Sequence, residues 1–399
     1  MDDGGGSAIN RKMSKSTALY LLIIFAPIAL ALELSHAEPL LVFIFAAIAL
    51  TPLAKLIGDS TENLAIHYRP TVASLLNVTF GNAAEIIIGI VAISAGLLTL
   101  VKASIIGSII GNILLIFGLS LFAGGLRQKE QFFNKENTGY QSSMLFLAII
   151  GLAVPTILAI GVLKPTTGVG SAGQGSIQIV SDVVAFVLLS VYLASIIFTF
   201  VTHKHLFAVP SPEREDKSLH EGKKSGNGYQ DVGKGNQKQR NGIHGLIWSK
   251  KKSIILLGAS MIGVVVMSEV LVATVEGIVK KFGLGELFVG AIIVGIVGNA
   301  AEHSSAIMLA RRGKLDLSIG IAAGSGTQVA IFVVPVLVIA GMVVHRPVNL
   351  VFTIYELVVV FLAASILNLI AHDGKSNCFE GIMLIAVYLI IAVGFFFIR

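Results

Sequence analysis

Long apolar segments follow one another along almost the whole chain, and short polar or glycine-rich turns separate them. The runs 19–32, 142–163, 253–275 and 381–398 contain almost no charged residues. A helix rises 1.5 Å per residue, so about 20 apolar residues cross a hydrocarbon layer of about 30 Å. The pattern predicts an all-α protein that crosses a membrane many times.

We predict eleven membrane-spanning helices and expect their boundaries to be accurate to a few residues. Glycine, proline and charged residues between the apolar runs give the limits. The predicted spans are 17–33, 39–57, 72–98, 103–123, 142–163, 179–202, 253–280, 284–310, 316–342, 348–371 and 378–398.

The composition excludes a soluble globular protein. Of the 399 residues, 55% are hydrophobic and only 13% are charged, whereas about 25% are charged in soluble domains. The single cysteine, Cys378, excludes a disulfide framework and a zinc site built from thiolates.

The basic excess of the chain lies in one segment. Residues 203–252 contain eleven Lys or Arg and five Asp or Glu, which accounts for the whole net charge of +6. A nucleic-acid interface would place aromatic residues among the basic ones, but this segment is rich in Gly, Ser, Asn and Gln. We therefore interpret it as a cytoplasmic loop. With an N-terminus on the same side, 23 Lys or Arg are inside and 6 outside, as the positive-inside rule requires.

The first predicted span has two interpretations. Arg11, Lys12 and Lys15 precede its apolar core, and Ser35-His36-Ala37 follows it, as at the cleavage site of a signal peptide. We favour a retained helix, because the basic residues before it then stay on the cytoplasmic side.

An internal repeat divides the chain. Gly-Asn-Ala-Ala-Glu occupies 81–85 and again 298–302, and Gly-Ser follows 22 residues after each glutamate, at 107–108 and 324–325. Both landmarks are offset by 217 residues. Chance does not account for two such matches at one offset, so we interpret them as a structural repeat.

The repeat predicts four parts. These are an N-terminal segment with a leading helix (1–35), a first five-helix repeat (36–202), the basic loop (203–252) and a second five-helix repeat (253–399). An odd number of spans places the second copy upside down relative to the first. Inverted repeats of this kind are typical of secondary transporters, which bind their cargo near the middle of the membrane.

The repeated glutamates, Glu85 and Glu302, are the candidate site. A carboxylate inside a membrane helix is costly and is tolerated mainly where it meets an ion, a partner or a cavity. Neutral oxygens nearby would complete an all-oxygen set, and we expect them from Asn82, Asn299, Ser108 and Ser325. Such a set suits Ca²⁺ better than Mg²⁺ or Zn²⁺. Two close carboxylates repel each other, so without metal at least one should hold a proton near neutral pH.

Four motifs of the chain together resemble those of a known family. Gly-Asn-Ala-Ala-Glu in the third span, Gly-Ser-Ile-Ile-Gly-Asn at 107–112, Gly-Asn-Ala-Ala-Glu-His at 298–303 and Gly-Ser-Gly-Thr-Gln at 324–328 resemble the Ca²⁺/H⁺ exchangers of the cation/Ca²⁺ exchanger superfamily. The resemblance implies that the two glutamates bind Ca²⁺ and protons alternately, while the second and seventh spans slide to open the site to each side.

The resemblance also implies a wider polar shell. It adds Asn112 and Gln328 to the amides and hydroxyls already named, although a one-residue gap separates the two in the repeat alignment. His303, next to the second glutamate, could tune proton exchange. The 203–252 loop is basic where eukaryotic members are acidic, so the resemblance favours a microbial exchanger of the plasma membrane.

Further acids are expected at the two mouths of the transport path. Asp59 and Glu62 lie at the cytoplasmic end of the second span, and Glu269 and Glu276 lie in the middle and outer part of the seventh. Acids at a mouth concentrate cations there.

The predicted function is Ca²⁺/H⁺ antiport, and the alternatives are a Na⁺-coupled Ca²⁺ exchanger and a Ca²⁺ channel. An intramembrane metalloprotease would need H-E-x-x-H, which the sequence lacks. We expect no enzymatic activity, no cofactor and no nucleic-acid partner. The expected partners are Ca²⁺, H⁺ and the lipid bilayer, with Mn²⁺ and Cd²⁺ as further candidate cations.

Overall fold

A computed structural model describes residues 19–161, 172–202 and 248–398. Almost all of these residues are helical. The helices are α1 (Leu21–Leu34), α2 (Pro39–Ala65), α3 (Pro70–Gly81), α4 (Ala83–Ser94), α5 (Leu98–Gly125), α6 (Lys135–Gly161), α7 (Ala172–Ile197), α8 (Lys250–Phe282), α9 (Glu286–Arg311), α10 (Leu315–Val343), α11 (Ile354–Asp373) and α12 (Cys378–Phe397). Two short strands, β1 (Gln131–Phe132) and β2 (Lys375–Ser376), form an antiparallel pair.

The predicted all-helical membrane fold is confirmed, but the predicted count of eleven spans is not. Within the described ranges, nine helices are long and apolar enough to cross a membrane, and the bent pair α3–α4 makes a tenth. Helix α1 lies where the first span was predicted, but only 14 apolar helical residues of it are described. The chain is thus an integral, multi-pass membrane protein.

Helices α2 and α8 pack along each other over much of their length. Gly263 on α8 lies so close to Leu53 on α2 that a Cβ added to this glycine would be 2.9 Å from a leucine methyl carbon. Beyond this contact, Gly277 faces Pro39, and Lys281 forms an ion pair with Glu38. Small residues allow this close approach, which is the usual way in which membrane helices associate.

Helices α5 and α9 cross near the centre of the bundle at an even closer distance. A Cβ on Gly107 would lie 2.5 Å from the Cα of Ala291, and a Cβ on Gly295 would lie 2.9 Å from the carbonyl carbon of Gly107. Only glycine fits at these positions, because any side chain would overlap the backbone of the other helix. The crossing brings Ser108 and Asn299 together, each one turn or less from a glycine of the contact.

Several helices contain a π-helical turn or a break close to the repeated motifs. Helix α5 is π-helical at Gly111–Ile116 and α10 at Val329–Val333, in both cases just after the Gly-Ser pair. Helix α9 is π-helical at Val289–Val294, before its copy of the pentapeptide. Single π turns inside α-helices are frequent at functional sites.

Candidate functional site

The two copies of the pentapeptide face each other across one cavity. Glu85 on α4 and Glu302 on α9 both line this cavity, whose volume is about 300 Å³. Small residues of the two motifs line the cavity beside the glutamates: Gly81, Ala84, Gly298 and Ala301. The residues that the sequence pairs by repetition are thus brought to a single place by the fold.

A break in the helix sets the position of Glu85. Helix α3 ends at Gly81, Asn82 leaves helical geometry with φ −100° and ψ 16°, and α4 begins at Ala83. The two helices are bent by 41°. Glu85 therefore lies in the first turn of α4, where the unpaired N–H groups and the helix dipole favour a negative charge.

The second copy of the motif has a different local structure. Residues 298–302 lie inside the uninterrupted α-helical part of α9, Gly295–Arg311. Glu302 accepts a hydrogen bond at 2.5 Å from the hydroxyl of Ser325. By contrast, Oε2 of Glu85 is buried and has no hydrogen-bond partner among the described residues. One of the two carboxylates is therefore held by a neighbouring side chain, and the other has a buried oxygen without a hydrogen-bond partner among the described residues.

A chain of amides and hydroxyls connects α5, α9 and α10 beside the glutamates. Asn299 donates to the hydroxyl of Ser108 at 3.0 Å and accepts from Asn112 at 2.9 Å. The same Asn112 amide is 3.4 Å from the hydroxyl of Ser325, which in turn donates to Glu302. All four polar side chains are buried. Buried polar groups linked in this way hold one another in a single arrangement.

A second amide pair lies on the side of the first motif. Asn82 donates to Gln328 on α10 at 2.8 Å. In the other half of the chain, Asn112 forms the equivalent hydrogen bond with Asn299. The asparagine of each pentapeptide is thus hydrogen-bonded to the amide side chain that follows the Gly-Ser pair of the other repeat. Asn112 and Gln328 therefore form equivalent hydrogen bonds, in spite of the one-residue gap in their alignment.

His303 does not line the cavity that the glutamates share. Its side chain is 8% exposed, and its Nε2 atom has no hydrogen-bond partner within the described part of the chain. Successive residues of a helix point about 100° apart, so the neighbour of a cavity residue faces the helices packed beside it.

The acids expected at the two mouths lie in different surroundings. Asp59 and Glu62 line the same cavity as the central glutamates. Glu269 lines a separate groove of about 560 Å³ between α4 and α8. Glu276 is exposed and forms an ion pair with Lys280 at 3.3 Å.

The cavity extends toward one end of the bundle, which we call the loop side. Helix α2 ends and α8 begins there, and the Trp248 N–H donates to Asn63 across the gap between them at 3.0 Å. Trp248 is the first described residue after the basic segment of the sequence. On the opposite side, Glu85 borders a space of only about 20 Å³, lined by apolar residues such as Ile88, Val294 and Leu337 and by two serines.

Sequence reasoning missed three polar residues of the cavity wall: Lys55, Asn77 and Ser305. Asn77 could have been found from spacing, because it precedes Gly81 of the repeated motif by four residues and so shares one face of α3 with it. Lys55 precedes Asp59 by four residues, which is the spacing of a helical ion pair.

The donors at the site are oxygens. Among the residues that the structure describes, no group of three or more His, Cys, Asp and Glu could hold a metal ion. A cation between Glu85 and Glu302 would meet carboxylate oxygens, with amide and hydroxyl oxygens close by. Hard cations such as Ca²⁺ prefer this chemistry.

Comparison with known proteins identifies relatives of this chain. The family described as "Sodium/calcium exchanger protein" matches residues 38–201 and 252–397. A protein of Aphanothece halophytica named Ca²⁺/H⁺ antiporter is 38% identical over 385 residues, which cover 96% of this chain and 98% of that protein. The Ca²⁺/H⁺ antiporter ChaA of Bacillus subtilis is 36% identical, with 95% and 99% covered.

Solved structures give the same result. The structure of native YfkE superposes with a TM-score of 0.75 at 34% identity and covers 95% of this chain and 99% of that one. The H⁺/Ca²⁺ exchanger CAX has a TM-score of 0.65 at 16% identity, with 96% and 91% covered, which shows a shared fold. The resemblance to the Ca²⁺/H⁺ exchangers stated from the sequence is thereby confirmed, and the chain belongs to the sodium/calcium exchanger protein family.

Proposed function

We propose that the protein is a secondary active antiporter that exchanges Ca²⁺ for H⁺ by alternating access. The observation that carries this proposal is the shared cavity, in which the glutamates of two identical motifs face each other. The names of two relatives at 36% and 38% identity, both Ca²⁺/H⁺ antiporters, support the choice of ions.

The proposed chemistry is competition for one site. Glu85 and Glu302 supply up to four oxygens and two negative charges, and Ca²⁺ requires six to eight oxygens. Asn82, Asn299 and water would supply neutral ligands. When the metal leaves, the repulsion between the two carboxylates is relieved by proton binding. Ca²⁺ and protons then occupy the site in turn, which is the minimum requirement for coupled exchange.

The surrounding amides keep the carboxylates in place during this exchange. Ser325 holds one oxygen of Glu302, and the chain through Asn112 and Asn299 fixes Ser325 relative to α5. Prearranged polar groups of this kind lower the cost of ordering the site when an ion binds.

Access to the site changes sides in the proposed cycle. The described conformation has a cavity of about 300 Å³ on the loop side and about 20 Å³ on the other. We infer that the loop side is cytoplasmic, that the two five-helix repeats are inverted, and that α2 and α8 move together to open the opposite side. The basic loop and the positive-inside rule support this orientation in a microbial plasma membrane.

The test is ion flux into sealed liposomes that contain the purified protein. We expect an imposed pH gradient to drive Ca²⁺ uptake and a Na⁺ gradient to have no effect. Mn²⁺ and Cd²⁺ are added as competitors to rank the divalent cations. Uptake that follows the Na⁺ gradient instead would assign the protein to Na⁺-coupled exchange, and Ca²⁺ conduction without proton movement would make it a channel.

Two variants test the site itself. Glu85→Gln and Glu302→Gln keep the size of the side chain and remove its charge, and each should abolish proton-driven uptake while the protein still inserts and purifies as wild type. The matched control is Glu130→Gln, at an exposed glutamate of the turn after α5. Normal uptake by either of the first two variants would overturn the proposed role of the pair.

A further inference from the structure

The last three turns of α2 present one basic and two acidic side chains to the loop-side part of the cavity. Lys55, Asp59 and Glu62 all line it. The Lys55 ammonium donates to Oδ1 of Asp59 at 2.9 Å, and the hydroxyl of Tyr20 donates to Oδ2. Both oxygens of Asp59 are therefore engaged. Glu62 is exposed and forms no ion pair within the part of the chain that the structure describes.

The position of a lysine here is unexpected for a path that carries cations. The side chains of Lys55 and Asp59 are only 17% and 27% exposed, so the pair is part of the cavity wall. The chain contains a similar pair elsewhere: Lys280 and Glu276 on α8 have the same four-residue spacing but are 78% and 62% exposed. That second pair is outside the cavity of the glutamates and serves as a natural comparison.

The charge of the loop-side mouth follows from these contacts. Lys55 and Asp59 neutralise each other, so Glu62 is the one acid of the three without an ion-pair partner among the described residues. Coulomb interactions are stronger in a narrow, partly dry cleft than in bulk water. A path must attract an ion strongly enough to admit it and weakly enough to release it. One added or removed charge at this mouth would change that balance.

We propose that Lys55 sets the affinity of the loop-side mouth for divalent cations by neutralising Asp59, with Tyr20 as the positioning residue that holds the Asp59 carboxylate in place. This inference rests on the proposed function, because it concerns the capture of Ca²⁺ on its way to the central glutamates. Tyr20 lies just before α1, so the leading helix takes part in shaping the mouth.

The test is a double-mutant cycle in vesicles whose loop side faces the medium, with the Ca²⁺ concentration at half-maximal uptake as the readout. Lys55→Gln leaves Asp59 unneutralised and should lower this concentration about twofold to tenfold, as expected for one charge acting on a divalent ion across a few ångströms of partly hydrated space. Asp59→Asn leaves Lys55 unneutralised and should raise it by a similar factor.

The double variant distinguishes charge from structure. Lys55→Gln combined with Asp59→Asn restores the original net charge, so its half-maximal concentration should return to within about twofold of wild type by the same estimate. The maximal rate should stay unchanged in all three variants. The differences among them should shrink at high ionic strength, because added salt screens the mouth.

Two controls accompany the cycle. Lys55→Arg keeps the charge and should behave as wild type, and Lys280→Gln, in the exposed pair on α8, should leave the loop-side half-maximal concentration unchanged. The inference is overturned if both single variants shift that concentration in the same direction, if the double variant is the most impaired, or if only the maximal rate changes.

This result can be separated from the proposed function. A wild-type protein that shows no proton-driven Ca²⁺ uptake would refute the exchange itself. If wild type exchanges and Glu85→Gln does not, while the Lys55 and Asp59 variants retain the wild-type half-maximal concentration, only the inference about the mouth is lost.

Discussion

The close crossing of α5 and α9 predicts that Gly107→Ala destabilises the protein. The added Cβ would lie 2.5 Å from the Cα and the carbonyl carbon of Ala291. Carbon atoms in good contact are about 3.5–4.0 Å apart, so the two helices must separate by about 1 Å.

The cost follows from what this separation breaks. Asn299 and Ser108 are 3.0 Å apart, and Asn112 and Asn299 are 2.9 Å apart. An additional ångström takes both pairs outside hydrogen-bonding distance. Forcing the backbones apart costs about 1–3 kcal/mol, and each lost hydrogen bond about 0.5–1.5 kcal/mol. We expect the free energy of unfolding to fall by about 2–6 kcal/mol in total.

The matched control is Gly111→Ala, one turn further along the same helix. A Cβ at Gly111 meets nothing within 4 Å. The free energy of unfolding of this variant should therefore be within about 1 kcal/mol of the wild-type value, in line with the difference in helix propensity between Gly and Ala. The assay compares thermal and denaturant unfolding of both variants and wild type in one detergent. Equal stability of Gly107→Ala and Gly111→Ala would refute the argument that the crossing excludes a side chain.

Two further changes test contacts at the edge of the site and far from it. Asn82→Ala and Gln328→Ala each remove one partner of a 2.8 Å hydrogen bond, and each should slow proton-driven Ca²⁺ uptake. The double variant should be no slower than the slower single variant. Additive losses would show that the two residues act separately. Thr353→Val removes the hydroxyl that caps α11 and accepts from the Glu356 N–H at 3.2 Å; it should lower the free energy of unfolding by about 1 kcal/mol in a denaturant titration, while Thr353→Ser remains at the wild-type value.

The helical membrane fold could be predicted because hydrophobicity alone specifies it. An apolar run such as 381–398 has no other stable arrangement in a bilayer than a helix, and helix α12 occupies it at Cys378–Phe397. The leading helix shows the limit of the method. Within the run predicted over 17–33, Leu21–Ile24 form a 3₁₀ turn before the α-helix Phe25–Leu34, and apolar length in the sequence does not specify which kind of helix a residue adopts.

The pairing of the glutamates could also be predicted, because a repeated motif defines equivalent positions before any coordinates are known. The Lys55, Asp59 and Tyr20 contact could be predicted only in part. Residues four apart on a helix meet by geometry, so the lysine and the aspartate were within reach of sequence reasoning. Tyr20 is 39 residues from Asp59, and nothing in local sequence indicates that the leading helix returns to that mouth.

The two copies of the pentapeptide show why sequence could not describe the site completely. Glu302 accepts a hydrogen bond from Ser325, whereas the hydroxyl at the corresponding position of the other half, Ser108, is bound by Asn299. Identical sequences therefore have different surroundings. A site that is open on one side only cannot surround equivalent residues in the same way, and here the cavity holds about 300 Å³ on the loop side and about 20 Å³ on the other. The hydrogen-bond partners come from α5 and α10, whose sequences after the Gly-Ser pair differ, so the five identical residues do not determine their own surroundings.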